Sequence, residues 1–216
     1  MAASMGYEET FELNGEEIKT TVTYNKEKIH NHISSFLRPS INHQTKVIGF
    51  DIEWFLYYTA KEGSISQSRC ATVQLCDGHS CLIIQFNNIR HRFYRSMLDL
   101  AALQSLFNFL SMPDYTFVGV GIKRNLAKLE KYYGIGCRNS VELGPLAATL
   151  MIDPRLSYCG VDELAFAVDR LDLQVHRPVT AIYDYSLSPL SKELAKLATV
   201  NVYSYYKIGS KLLVAT

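Results

Sequence analysis

Three apolar runs, "KVIGFDIEW", "ATVQL" and "CLIIQF", are followed past residue 97 by alternating helical and extended segments, an order that restricts the chain to an α/β architecture. The last two runs flank Asp77-Gly78, so residues 46–86 are expected to form an antiparallel meander. Beyond it, "LDLAALQSLFNFLS" is amphipathic, "TFVGVGI" reads as a buried strand, and "RNLAKLEKYYG" as a helix stopped at Gly134. "NSVEL" is short and extended, helical stretches follow near 145–151 and 160–171, and a long helix is expected from about Pro189 to Leu213. Meander, then α-β-α, then helices give a mixed sheet flanked by helices.

Ahead of this region, Asn14-Gly15 between "ETFEL" and "EIKTTVTY" signals a type I′ hairpin. "NKEKIHNHISSFL" repeats Ile29, Ile33, Phe36 and Leu37 at helical spacing, and Pro39 closes the helix. The organisation expected is a hairpin and helix over residues 1–40, packed on a main domain over 41–216. An isolated hairpin is marginal in water and exposes a sheet edge. With Phe11, Leu13, Ile18 and Tyr24, it must either fold back on its own domain or pair with another copy.

The first strand of the meander poses the chemical question. Asp51 and Glu53 lie two residues apart, so both point to one face, about 6.6 Å apart along the strand. Two like charges on a buried strand cost several kcal/mol unless something positive compensates them. A hard divalent cation, Mg²⁺ or Mn²⁺, does so through carboxylate oxygens. The alternative is an exposed strand end paired with nearby Lys or Arg.

Composition narrows the remaining classes. The net charge of +1 excludes a broadly basic nucleic-acid binder and leaves local patches. The five cysteines lack a CxxC pair and read as free thiols in a reducing, intracellular setting, cytoplasmic or nuclear. The amino terminus carries no secretory pattern, and no run approaches a membrane span.

The blocks "VIGFDIEW", "CATVQLCDGHSCLIIQF", "FVGVGIKRNLAKLEKYYGI" and "NSVELGPLA" resemble, in order, the Werner-type branch of the DEDD 3′→5′ exonucleases. The likeness runs from about Lys46 to Leu213. It implies a ribonuclease H-like, DnaQ-like exonuclease fold and two-metal hydrolysis of single-stranded nucleic acid, RNA or DNA, from the 3′ end. The chain is also similar to plant exoribonucleases that clear fragments left by RNA silencing. Some of those form rings of six, which implies a homo-oligomer here.

The resemblance maps four metal ligands onto Asp51, Glu53, Asn125 and Asn201, with Asp51 and Glu53 catalytic. Two of the four are therefore amides. Leu197 falls where the family has a tyrosine that orients the attacking water. Asn keeps a carbonyl oxygen but brings no charge, so metal affinity and charge stabilisation should both fall. Tyr203, Tyr205 or Tyr206 could replace the missing tyrosine if the helix turns them inward, and Tyr205 shares a helical face with Leu197 and Asn201. A competing reading keeps the fold as a catalytically degenerate binding or assembly module.

Several residues are candidates for nucleic-acid contact. Trp54 matches a position near the terminal nucleotide, yet alternates away from the Asp51/Glu53 face and so also suits the core. Arg90 and Arg92, with Arg95, Phe93 and Tyr94, form a basic and aromatic run suited to single strands or to solvent. Lys123 and Arg124 stand beside Asn125, placed for phosphate contact or to neutralise the carboxylates. Glu142 serves structure or chemistry. His30 and His32 diverge on their helix and make no shared metal site.

Overall fold

The computed structural model describes residues 6–37, 46–57, 67–86, 97–179 and 183–214. Among these, seven strands form one mixed sheet in the order β1-β2-β5-β4-β3-β6-β7. The strands are β1 (Gly6–Leu13), β2 (Glu16–Thr23), β3 (Lys46–Tyr57), β4 (Gln67–Cys76), β5 (Ser80–Gln85), β6 (Tyr115–Gly119) and β7 (Ser140–Glu142). Helices α1 (Lys26–Phe36), α2 (Met97–Leu110) and α3 (Ile122–Tyr133) line one face. The other face carries α4 (Leu143–Leu150), α5 (Val161–Asp169) and α6 (Lys192–Val214).

The amino-terminal hairpin turns where expected. Asn14 and Gly15 adopt φ of 56° and 81°, the two positive angles a type I′ turn requires. Its partner is in the same chain: β2 pairs in parallel with β5 through Lys19↔Ser80 to Thr23↔Ile84. The hairpin thus extends the central sheet, and the fold-back alternative is the one realised. Tyr7 donates to the Leu190 carbonyl at 2.8 Å, and Lys192 pairs with Glu9 at 2.7 Å, fastening the edge strand to the approach to α6.

The meander is antiparallel, β3 with β4 and β4 with β5. Strand β3 then pairs in parallel with β6, which makes the sheet mixed. Alternation along β3 divides its side chains cleanly. Ile48, Phe50 and Ile52 enter the core shared with α1, α2 and α3, while Val47 joins the opposite core. Asp51 and Glu53 belong to that second face, beneath α6.

Gly49 brings α6 down onto β3. A Cβ there would lie 1.9 Å from the Val202 carbonyl oxygen, so no other residue permits this approach. At the end of β6, Gly121 (φ 69°) makes the left-handed turn that starts α3 at the same edge of the sheet. Two helices therefore meet the middle of β3, where Asp51 and Glu53 lie. All five cysteines are free, with Cys70, Cys76 and Cys81 buried. Among the described residues no helix is long and apolar enough to cross a membrane.

Candidate active site

Asp51 is only 9% exposed and Glu53 is half-buried. The Asp51 carboxylate accepts from the Ile52 amide at 2.7 Å and from the Asn125 side-chain amide at 3.2 Å, both on Oδ1. Its Oδ2 faces the Tyr205 hydroxyl at 3.4 Å. All three donors are neutral. Burial, then the Glu53 charge, pushes Asp51 up to about 7 against those hydrogen bonds, and burial also raises Glu53. No described residue forms an ion pair with either group. The alternative of a strand-end carboxylate paired with Lys or Arg finds no support among the described residues.

Asn125 lies on the first turn of α3, half-buried. Its Oδ1 accepts from Trp54 Nε1 at 3.0 Å. Indole nitrogen only donates, so this bond fixes the amide with its oxygen toward Trp54 and its NH₂ toward Asp51. Trp54 is half-buried on the α3 side of β3, against Tyr132 and Tyr133, with Lys128 Nζ 5.2 Å from its ring centroid. The register shift between Glu53 and Trp54, which leaves Ala71 of β4 unpaired, lies beside this contact.

Asn201 sits on α6 four residues from both Leu197 and Tyr205. Its Oδ1 accepts from Arg177 Nη2 at 3.3 Å. Arg177 is itself held by Asp162, through Nε at 3.1 Å and Nη2 at 2.7 Å. Leu197 is buried against Tyr185, a loop residue that is 8% exposed. Burial and the charges of Glu53 and Asp51 push the Tyr185 hydroxyl above its ordinary range. Arg177, Asp162 and Tyr185 were not singled out from sequence. Their partners lie in other elements, and no local spacing announces them.

The remaining candidates divide. Lys123 and Arg124 are exposed at the start of α3. Glu142 caps that helix, its carboxylate accepting from the Gly121 and Lys123 amides, so its structural alternative is the one seen. Arg90, Arg92, Phe93, Tyr94 and Arg95 lie outside the described residues. His30 and His32 bond separately to Ser105 and Thr21.

The donor set decides what fits. Asp51 and Glu53, two carboxylates on one face without a cationic partner, fit one hard divalent ion. A second position between Asp51 and Asn125 meets amide hydrogens rather than oxygen, and the Asn201 oxygen is turned to Arg177. Among the described residues no three His, Cys, Asp or Glu side chains gather as a metal-holding group. Two ions do not fit the arrangement seen.

No family model matches the chain. The Arabidopsis thaliana protein RISC-interacting clearing 3′-5′ exoribonuclease 1 is 26% identical over 175 residues, covering 81% of this chain and 82% of that protein. The crystal structure of Escherichia coli RNase D superposes with a TM-score of 0.62 at 16% identity. It takes in 89% of this chain and 44% of that one. Trypanosoma brucei RNase D in complex with RNA U12 gives 0.63 at 15% identity, over 91% and 63%. The chain is similar in sequence to the Arabidopsis thaliana exoribonuclease and has the ribonuclease H-like fold of the RNase D exonuclease domains. It spans less than two thirds of both of these RNase D chains. Against the exonuclease pattern that its sequence resembles, its departures lie at Asn125, Leu197 and Asn201.

Proposed function

We propose that the protein is a 3′→5′ exonuclease acting on single-stranded nucleic acid, RNA before DNA, with low catalytic power. The observation that carries this is the Asp51–Glu53 pair on the α6 side of β3, buried and half-buried, without a cationic partner among the described residues. Asp51 and Glu53 would hold a divalent cation, Mg²⁺ or Mn²⁺. Such an ion, when bound, stabilises charge on the scissile phosphate and acidifies water. Lys123 and Arg124 lie exposed at the same edge of the sheet and would meet the phosphate backbone. Trp54, beneath Asn125, orients that amide and presents an aromatic flank toward the terminal nucleotide. Tyr205 holds Asp51, and Asn201 positions Arg177. Arg90 and Arg92 stay candidates for nucleic-acid contact on their sequence alone. The exoribonuclease from Arabidopsis thaliana and the Trypanosoma brucei RNase D bound to RNA support the substrate class.

The amide orientations favour a second reading, in which the same surface binds a 3′ end without cleaving it. One experiment separates the two. Purified protein is incubated with a 3′-ended single-stranded RNA and its DNA counterpart, with Mn²⁺ or with EDTA, and binding is followed by fluorescence anisotropy alongside gels. Shortening from the 3′ end that stops with EDTA establishes the exonuclease. Binding without shortening establishes the second reading, and neither would end both.

Assembly into a homo-oligomer, with a ring of six as its precedent, is a further part of the proposal. The hairpin's pairing within the chain removes one argument for it. The outer edge of β1 and the exposed Leu150, Met151, Ile152 and Tyr158 side chains remain as surfaces for it. Light scattering near the 24.5 kDa of one chain at micromolar concentration would end this part. The free thiols support a reducing compartment, cytoplasmic or nuclear.

A further inference from the structure

We infer that this site takes one divalent cation, and that an amide and a guanidinium stand where a second would be bound. The inference rests on the reading above for the site's location, but not on whether cleavage occurs.

Three observations support it. First, the orientation of Asn125 is not free. Turning its oxygen toward Asp51 would aim its NH₂ at the indole N–H of Trp54, donor against donor, and would remove the bond at 3.0 Å. Asp51 Oδ1 would in turn lose its amide donor at 3.2 Å. Second, Asn201 is oriented by the same logic. A guanidinium has no acceptor, so the Asn201 oxygen must face Arg177.

Third, Arg177 brings a guanidinium to α6 at Asn201, one turn before Tyr205, whose hydroxyl lies 3.4 Å from Asp51 Oδ2. Its Nε and Nη2 both bond Asp162, which fixes its plane, and it is partly buried with 21% of its side chain exposed. A second dication at Asn201 would meet the N–H donors of Arg177 instead of a free oxygen ligand, and Asp162 is already committed to that guanidinium. Charge counting agrees. Two carboxylates match one dication, and Arg177 is matched by Asp162.

The test is a stoichiometry, made without nucleic acid. Isothermal titration of the full chain with Mn²⁺ should give one ion per chain, and Mg²⁺ should leave the emission maximum of Trp54, the sole tryptophan, unshifted. Asn125→Asp with Asn201→Asp and Arg177→Gln should raise the count to two. Two ions on the unaltered protein, or a Mg²⁺-induced shift in Trp54 emission, would overturn the inference, and so would no ion at all. If the triple variant fails to fold, the unaltered chain's count decides alone. Two ions with RNA cleaved sinks this inference and leaves the function standing. One ion with no RNA bound does the reverse.

Discussion

Asp51 and Asn201 both lie on buried elements at one end of the sheet, and they meet the cost of burying polarity in different ways. Asp51 is an ionisable carboxyl with only neutral donors around it: a backbone amide, the Asn125 amide and the Tyr205 hydroxyl. Asn201 has no charge, and its oxygen is already satisfied by Arg177. The first half of the site is unfinished without a cation. The second half is complete as it stands. An unfinished half reports a ligand, whereas a completed half reports what the ligand no longer needs to do.

The largest effect should appear in the apo protein's stability against pH. Asp51 is raised from 3.8 to about 7 in the fold, and Glu53 moves the same way. The folded state therefore holds a proton that the unfolded chain has released. Stability is full below the unfolded value and is lost as pH rises through about 7, by about 4 kcal/mol. Thermal melts should fall across that window, and Mn²⁺ should restore them at its upper end. Asp51→Asn should flatten the curve. A flat curve in the unaltered protein would break the comparison, because Asp51 would then have a compensating charge.

The next effect is on chemistry. Asp51→Ala removes the buried end of the pair and should reduce metal-dependent shortening of RNA by about 100-fold or more. Asn201→Ala, on the completed side, should cost less than about tenfold in the same gel assay. Equal losses would mean that both halves serve the reaction alike.

These two halves were not equally legible in sequence. Alternation along "VIGFDIEW" was enough to put Asp51 and Glu53 on one face and Trp54 on the other, because period-2 geometry is local. The hairpin turn, the meander and the stop at Gly134 were legible for the same reason. Orientation was not. Asn125 reads as a neutral metal ligand until Trp54 is seen to claim its oxygen, and the two are 71 residues apart in the chain. Arg177 reaches Asn201 from a loop that no periodicity marks, and Tyr185 arrives beside Leu197 in the same manner. Long-range side-chain geometry decides such matters, and residue type alone does not.

A smaller effect probes the lock on Asn125. Trp54→Phe keeps the aromatic packing against Tyr132 and Tyr133 but deletes the indole donor. The Asn125 oxygen then loses its bond, at a cost of about 1–2 kcal/mol in urea unfolding. The amide is also released to turn its oxygen toward Asp51. Divalent affinity should therefore rise although stability falls, and titration with Mn²⁺ would show it. If affinity stays constant, Trp54 holds the amide no more firmly than the helix does.

The smallest effect is expected at Tyr205, which stands between the two halves. Its hydroxyl is deeply buried and lies 3.4 Å from Asp51 Oδ2, long for a bond to a carboxylate. Tyr205→Phe should cost about 1 kcal/mol or less, since most of a charge-assisted bond's strength is already gone at that distance. The sign on Asp51 is clear: this bond lowers its pKa, so removing it moves the upper limit of the stability window to higher pH. Cleavage should fall no more than about threefold, because a hydroxyl committed to Asp51 is not free to orient water. A fall of about tenfold, worth about 1.4 kcal/mol at the barrier, would exceed the stability loss. Tyr205 would then be acting on the reacting groups from the α6 face, and the tyrosine missing at Leu197 would have been replaced two helical turns along.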